Sequence, residues 1–80
     1  MNIKIKVFAA MKDFFEPEFE MEVPSQISVG DLSNILMIRQ PFVLPVLSKS
    51  RVAINENFVG PDHFIKEDDH VYILPPSSGG

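Results

Sequence analysis

The sequence predicts an α+β domain with one helix packed against a mixed β-sheet, and three observations carry that expectation. Segments of period-two alternation stand near both ends of the chain, a single stretch of helical periodicity lies between them, and proline- or asparagine-containing turns separate the pieces. Eighty residues leave room for one hydrophobic core.

From Asn2 to Ala9 the chain alternates, with Ile3, Ile5 and Val7 on one face and Lys4, Lys6 and Phe8 on the other, as a half-buried first strand requires. Met11 to Phe15 has helical character for one turn only, because Pro17 disfavours helical geometry at Glu16. Glu18 to Val23 alternates again, with Phe19, Met21 and Val23 inward and three glutamates outward, which predicts a second strand antiparallel to the first. Pro24 ends that strand. Ser28 and Asp31 form an approximate capping box ahead of Val29, Leu32, Ile35 and Leu36, so a helix is expected from about Val29 to Arg39. Pro41 and Pro45 stop it, and PFVLPVLS between helix and sheet reads as a turn or short irregular helix. Arg51 to Asn55 is a third strand with Val52 and Ile54 inward. Asn55 and Asn57 supply turn chemistry, Phe58 and Val59 begin a further short strand, and Gly60-Pro61 close it. After an acidic turn at Lys66 to Asp69, the stretch His70 to Leu74 is the last strand, with Val71 and Ile73 on one face and Tyr72 and Leu74 on the other.

This order fits the β-grasp arrangement, in which the first and last strands lie side by side and parallel at the centre of the sheet. Residues 1–75 form the predicted domain and residues 76–80 a C-terminal tail. If Ile3, Ile5, Val7, Val71 and Ile73 face the helix, then Phe8, Tyr72 and Leu74 gather on the opposite face with Lys4 and Lys6, and such apolar residues point to an interface.

Composition excludes several functions. A net charge of −4 opposes binding to nucleic-acid backbones. No apolar run is long enough for a membrane helix, and MNIKIKVFAA is too short and too evenly charged for a signal peptide, so a cytoplasmic protein is expected. With no cysteine there is no disulfide, no thiolate metal site and no catalytic thiol. Asp62, His63, Glu67, Asp69 and His70 are metal-ligand types without metal-site spacing, and a solvated loop explains them better. The serines lack a histidine and acid at any hydrolase spacing, and no glycine-rich phosphate loop is present. Glu16, Glu18, Glu20 and Glu22 form a stripe that reads as the outer face of an edge strand or as a means of steering a basic partner.

The chain ends LPPSSGG. In an arbitrary protein this is a frayed terminus, but here it follows a buried strand, and Pro75 and Pro76 stiffen its exit into a short arm. Glycine has no Cβ and can thread a narrow tunnel. Its carboxylate, adenylated with ATP by another enzyme, becomes a mixed anhydride open to a thiol or persulfide.

The run VAINENFVGPDHFIKEDDHVYILPPSSGG, together with IKVFAAMKDFF near the start, resembles the small, sulfur-carrying subunit of molybdopterin synthase, a ubiquitin-like β-grasp family. The resemblance covers nearly the whole chain. It rests chiefly on the strand running into Pro75-Pro76 and Gly79-Gly80, with Asn55 as a second marker. It implies that Gly80 is adenylated and then thiocarboxylated, that Gly79 permits close approach, and that Pro75, Pro76, Ser77 and Ser78 line the route into the partner's active site. It further implies partner contacts at Phe8, Phe58 and Leu74. The partners it implies are the large synthase subunit, in a heterotetramer of two small and two large subunits, a ubiquitin-activating-like adenylyltransferase and a sulfurtransferase donor. No cofactor is expected on this chain, ATP being used by the activating enzyme, and the chain is non-catalytic alone. Its role would be to donate sulfur to cyclic pyranopterin monophosphate, building the dithiolene of molybdopterin. A thiamine-pathway carrier or a ubiquitin-like modifier would share the Gly-Gly end, and a β-grasp interaction module with an inert tail would share the fold. Asp68 stands in a turn where relatives often carry glycine, which matters only if that turn needs a positive φ.

Overall fold

A computed structural model describes residues 1–76. Strands β1 (Asn2–Val7), β2 (Glu18–Glu22), β3 (Arg51–Ile54), β4 (Asn57–Val59) and β5 (His70–Leu74) form one sheet in the order β2-β1-β5-β3-β4. The pair β1–β5 is parallel, whereas β1–β2, β3–β5 and β3–β4 are antiparallel. Helix α1 (Val29–Arg39) and the short α2 (Leu44–Leu47) complete the elements, with 3-10 turns at Ala9–Asp13 and Pro41–Val43. The parallel pair of first and last strands at the sheet centre is the β-grasp topology expected from the sequence.

Strand parity sets the core. Ile3, Ile5, Val7, Val71 and Ile73 are buried on the face that meets Val29, Leu32 and Leu36 of α1, and Met21, Val43, Leu47 and Ile65 join the same cluster. Ile54 follows the expected parity fully and Val52 only halfway. The edge strands are short or charged: β4 has three residues, and β2 carries Glu18, Glu20 and Glu22 outward, which discourages further pairing.

The start of α1 explains how the long connection before β5 is held. Ser28 Oγ accepts from the Asp31 amide at 3.1 Å while Asp31 Oδ2 accepts from the Ser28 amide at 3.0 Å, so the expected capping box forms in both directions. The Val29 and Gly30 amides, which a helix leaves without internal acceptors, donate to the carbonyls of His63 and Pro61 at 2.9 Å each. One helix terminus thereby anchors the loop after β4.

Several boundaries differ from the sequence reading. The first strand ends at Val7, not Ala9, because Ala9 takes a φ of 51° and turns the chain off the sheet. The helical turn after it comes earlier, at Ala9–Asp13 rather than Met11 to Phe15. The third strand ends at Ile54, since Asn55 and Glu56, at φ 49° and 87°, form the two-residue turn into β4. PFVLPVLS holds Val43 and Leu47 in the core and leaves Phe42 84% exposed. Its prolines are tolerated because each falls in the first turn of its element.

Candidate functional site

Among the described residues, no helix or strand lies over the sheet face away from α1. Reading across it from β2, one row runs Glu18, Lys6, Tyr72, Ala53 and Phe58, as the strand registers dictate. Acidic residues therefore occupy one edge, lysines come next, and apolar groups fill the other half. Lys6 and Glu18 approach to 3.7 Å, an exposed pair that contributes little to stability.

Phe8 lies just past β1 but keeps an extended backbone, φ −132° and ψ 161°, so it continues the parity of Lys4 and Lys6 onto this face. Its ring centroid is 6.3 Å from that of Tyr72. Ala53 is buried, although it lies outside the helix-side cluster, because Tyr72 on β5 and Phe58 on β4 flank it across the ladder. Its small side chain floors the patch. Phe58 itself is 55% exposed, a large apolar surface left to water. Arg51 pairs with Leu74 in the β3–β5 ladder, and its guanidinium carbon lies 3.8 Å from the Phe58 ring centroid. Lys6 stands farther from Phe8, at 5.5 Å.

Of the residues singled out in the sequence, Phe8, Phe58 and Leu74 all stand on or beside this face, with Phe8 and Leu74 half-buried. Leu74 ends β5 at the border of the patch, and Pro75 and then Pro76 lead away from it. Ser77, Ser78, Gly79 and Gly80 lie outside the described residues. Sequence reasoning missed Arg51 and Ala53 as parts of the face. Neither belongs to a motif, and only the register of β3 against β5 and β4 brings them there.

Asn55 has a structural task. Its Nδ2 donates to Asp69 Oδ1 at 3.0 Å and its Oδ1 accepts from the His70 amide at 3.0 Å, while Asp69 Oδ2 accepts from the Lys66 amide at 2.8 Å. The β3–β4 turn is thus tied to the turn that launches β5. The Asp69 carboxylate and the His70 backbone amide are engaged in this way in holding the chain, and among the described residues no three potential ligands converge on a metal position.

Sheet order, a helix on one face and an apolar patch at the end of the central strand define a ubiquitin-like β-grasp protein. Within that class the chain belongs to the ThiS family, whose sequence pattern matches residues 5–80. It is similar to the molybdopterin synthase sulfur carrier subunits of Drosophila erecta, at 27% identity over 100% of this chain and 92% of the relative, and of Arabidopsis thaliana, at 26% over 100% and 84%. Among solved structures, a putative molybdopterin converting factor subunit 1 from Pyrococcus furiosus superposes with a TM-score of 0.84 at 25% identity, covering 95% of this chain and 98% of that one. The small archaeal modifier protein 1 of Methanosarcina acetivorans gives 0.80 at 24% identity over 99% and 96%. The complex of subunits 1 and 2 of the Helicobacter pylori molybdopterin-converting factor contains a chain that matches with 0.71 at 20% identity over 100% of both.

Proposed function

We propose that this chain is the sulfur-carrier subunit of a molybdopterin synthase. The observation that carries this reading is the position of the apolar patch: Phe8, Tyr72 and Phe58 lie on the open face near the end of β5, where Pro75-Pro76 lead toward Gly79-Gly80. A partner that grips the patch also meets the end of β5, from which residues 75–80 continue in sequence. The names of the two curated relatives support the pathway, and the Helicobacter pylori complex supports a large-subunit partner.

In this reading an activating enzyme transfers AMP from ATP to the Gly80 carboxylate and releases pyrophosphate. A persulfide then displaces AMP to give an acyl disulfide, and a second thiol cleaves the S–S bond, becoming oxidised to a disulfide while the thiocarboxylate departs. The thiocarboxylate sulfur attacks an oxygen-bearing side-chain carbon of cyclic pyranopterin monophosphate on the large subunit, a C–S bond forming as a C–O bond breaks and its oxygen leaves as water or on the phosphate. Water then cleaves the acyl C–S bond, leaving sulfur on the pterin and Gly80 as carboxylate. Two such deliveries complete the dithiolene. Gly79, with no Cβ, permits close approach, Pro75, Pro76, Ser77 and Ser78 line the route into the partner's active site, and Phe8, Phe58 and Leu74 hold the body in place. The chain binds no cofactor in this cycle.

The test is intact mass after incubation with ATP, a sulfur source and an activating enzyme proven on another carrier. The expected gain equals sulfur replacing oxygen, and deletion of Gly79 and Gly80 removes it. An unchanged mass overturns the carrier reading. A ubiquitin-like modifier, supported by the likeness to the archaeal modifier, separates at the next step by forming an amide with lysine instead of delivering sulfur to the pterin.

A further inference from the structure

The cations of the open face are not equivalent. Lys6 pairs with Glu18 at 3.7 Å, and Lys4 stands across the ladder from Glu20 without an ion pair to it, so each lysine has a carboxylate as its ladder neighbour. Arg51 sits on the apolar side, paired with Leu74 and placed against Phe58, and among the described residues it makes no ion pair. Whatever covers the Phe58 ring also covers the guanidinium 3.8 Å from it. A desolvated charge without an acceptor strongly opposes association, and nothing along this part of the ladder supplies one.

We infer that the protein surface receiving Phe58 presents a carboxylate at the rim of its apolar socket, and that Arg51 is the specificity-determining residue that reads it. This deepens the docking role proposed above and rests on that reading. Guanidinium suits the task, because it stacks on an aromatic face while offering a planar set of donors that a carboxylate meets in two parallel bonds. In a chain of net charge −4, Arg51 provides the local positive charge that lets a carboxylate-bearing surface approach. It also discriminates, since a socket without the carboxylate must bury Arg51 unpaired.

The experiment measures binding of the full chain to the large subunit of molybdopterin synthase from the same source, at low and high salt. Arg51→Gln is expected to lose roughly tenfold or more in affinity, Arg51→Glu more than that with a slower, salt-sensitive association rate, and Arg51→Lys less than either. Melting temperatures of the variants separate lost binding from lost folding. Changing each interfacial Asp or Glu of the large subunit to Lys, one at a time, should yield one variant that restores binding to Arg51→Glu. If Phe58→Ala loses roughly tenfold while Arg51→Glu binds within about twofold of the unaltered chain, the carboxylate inference falls and the docking face stands. If Phe58→Ala, Phe8→Glu and Arg51→Glu all bind normally, the open face is not the docking surface and both ideas fail.

Discussion

The two faces of the sheet are built from alternate residues of the same strands, yet they differ in almost every physical respect. On the helix side, Ile3, Ile5, Val7, Val71 and Ile73 are aliphatic and at most 1% exposed. On the open side, the intervening positions carry lysine, histidine and aromatic groups, and apart from the buried Ala53 the apolar ones are left partly exposed, with Phe58 at 55%. Aliphatic side chains interlock with a helix that never leaves. Large aromatic rings flanked by cations suit a surface covered only part of the time. Period-two geometry lets one short chain keep a folding set and a docking set on adjacent residues, and substitutions should separate them cleanly.

The largest effect is expected from the folding set. Leu36 is fully buried on the inner face of α1, and Leu36→Ala should cost about 2–5 kcal/mol by removing apolar contacts and leaving a cavity. For a domain of this size that is a large share of total stability. Chemical denaturation with unchanged slope and a lower midpoint is the expected outcome, and a midpoint within error of the unaltered chain would mean that α1 does not close the core.

Phe8→Glu should produce the opposite pattern. The ring rests on Tyr72 at the rim of the patch, so folding changes little, while a carboxylate placed in an apolar interface should weaken partner binding by about 2 kcal/mol or more. Calorimetric titration with the large subunit, alongside a melt, reads both quantities. Full affinity with a lowered melting temperature would move Phe8 from the docking set to the folding set.

Asn55→Ala tests the seam between the two sets. The substitution removes both side-chain hydrogen bonds, strands the His70 amide and places alanine at a φ of 49°, so a loss of about 1–3 kcal/mol is expected. Amide exchange should quicken first at His70 and in the turn before it. Uniform quickening across the sheet would instead show that the latch acts on the whole fold.

The alternation of Ile3, Ile5 and Val7 and the Ser28–Asp31 cap were legible because each signal is local, lying within a few residues. The central pairing of first and last strands was legible only because the order of elements fits the β-grasp arrangement. What could not be read was lateral. Arg51 and Ala53 acquire their surroundings from strands β4 and β5, and Asn55 finds Asp69 fourteen positions away. PFVLPVLS was legible as a break but not as the source of Val43 and Leu47 for the core, since a proline signals equally the end of one helix and the first turn of another.

The smallest expected effect falls on neither face. The Asp69 amide donates to the Lys66 carbonyl at 3.1 Å, closing a turn whose third residue, Asp68, has a φ of 69°. A positive φ at that position marks a type II turn, which favours glycine there. The condition under which Asp68 matters is therefore met. Aspartate tolerates the left-handed region better than most residues, so the strain is modest, and glycine's greater freedom in the unfolded chain offsets part of the relief. Asp68→Gly should raise stability by no more than about 1 kcal/mol and leave partner affinity unchanged, because the side chain belongs to neither the helix-side core nor the aromatic patch. A stability loss would show that the Asp68 side chain supports the turn, and a change in affinity would extend the docking surface past His70 into the loop before β5.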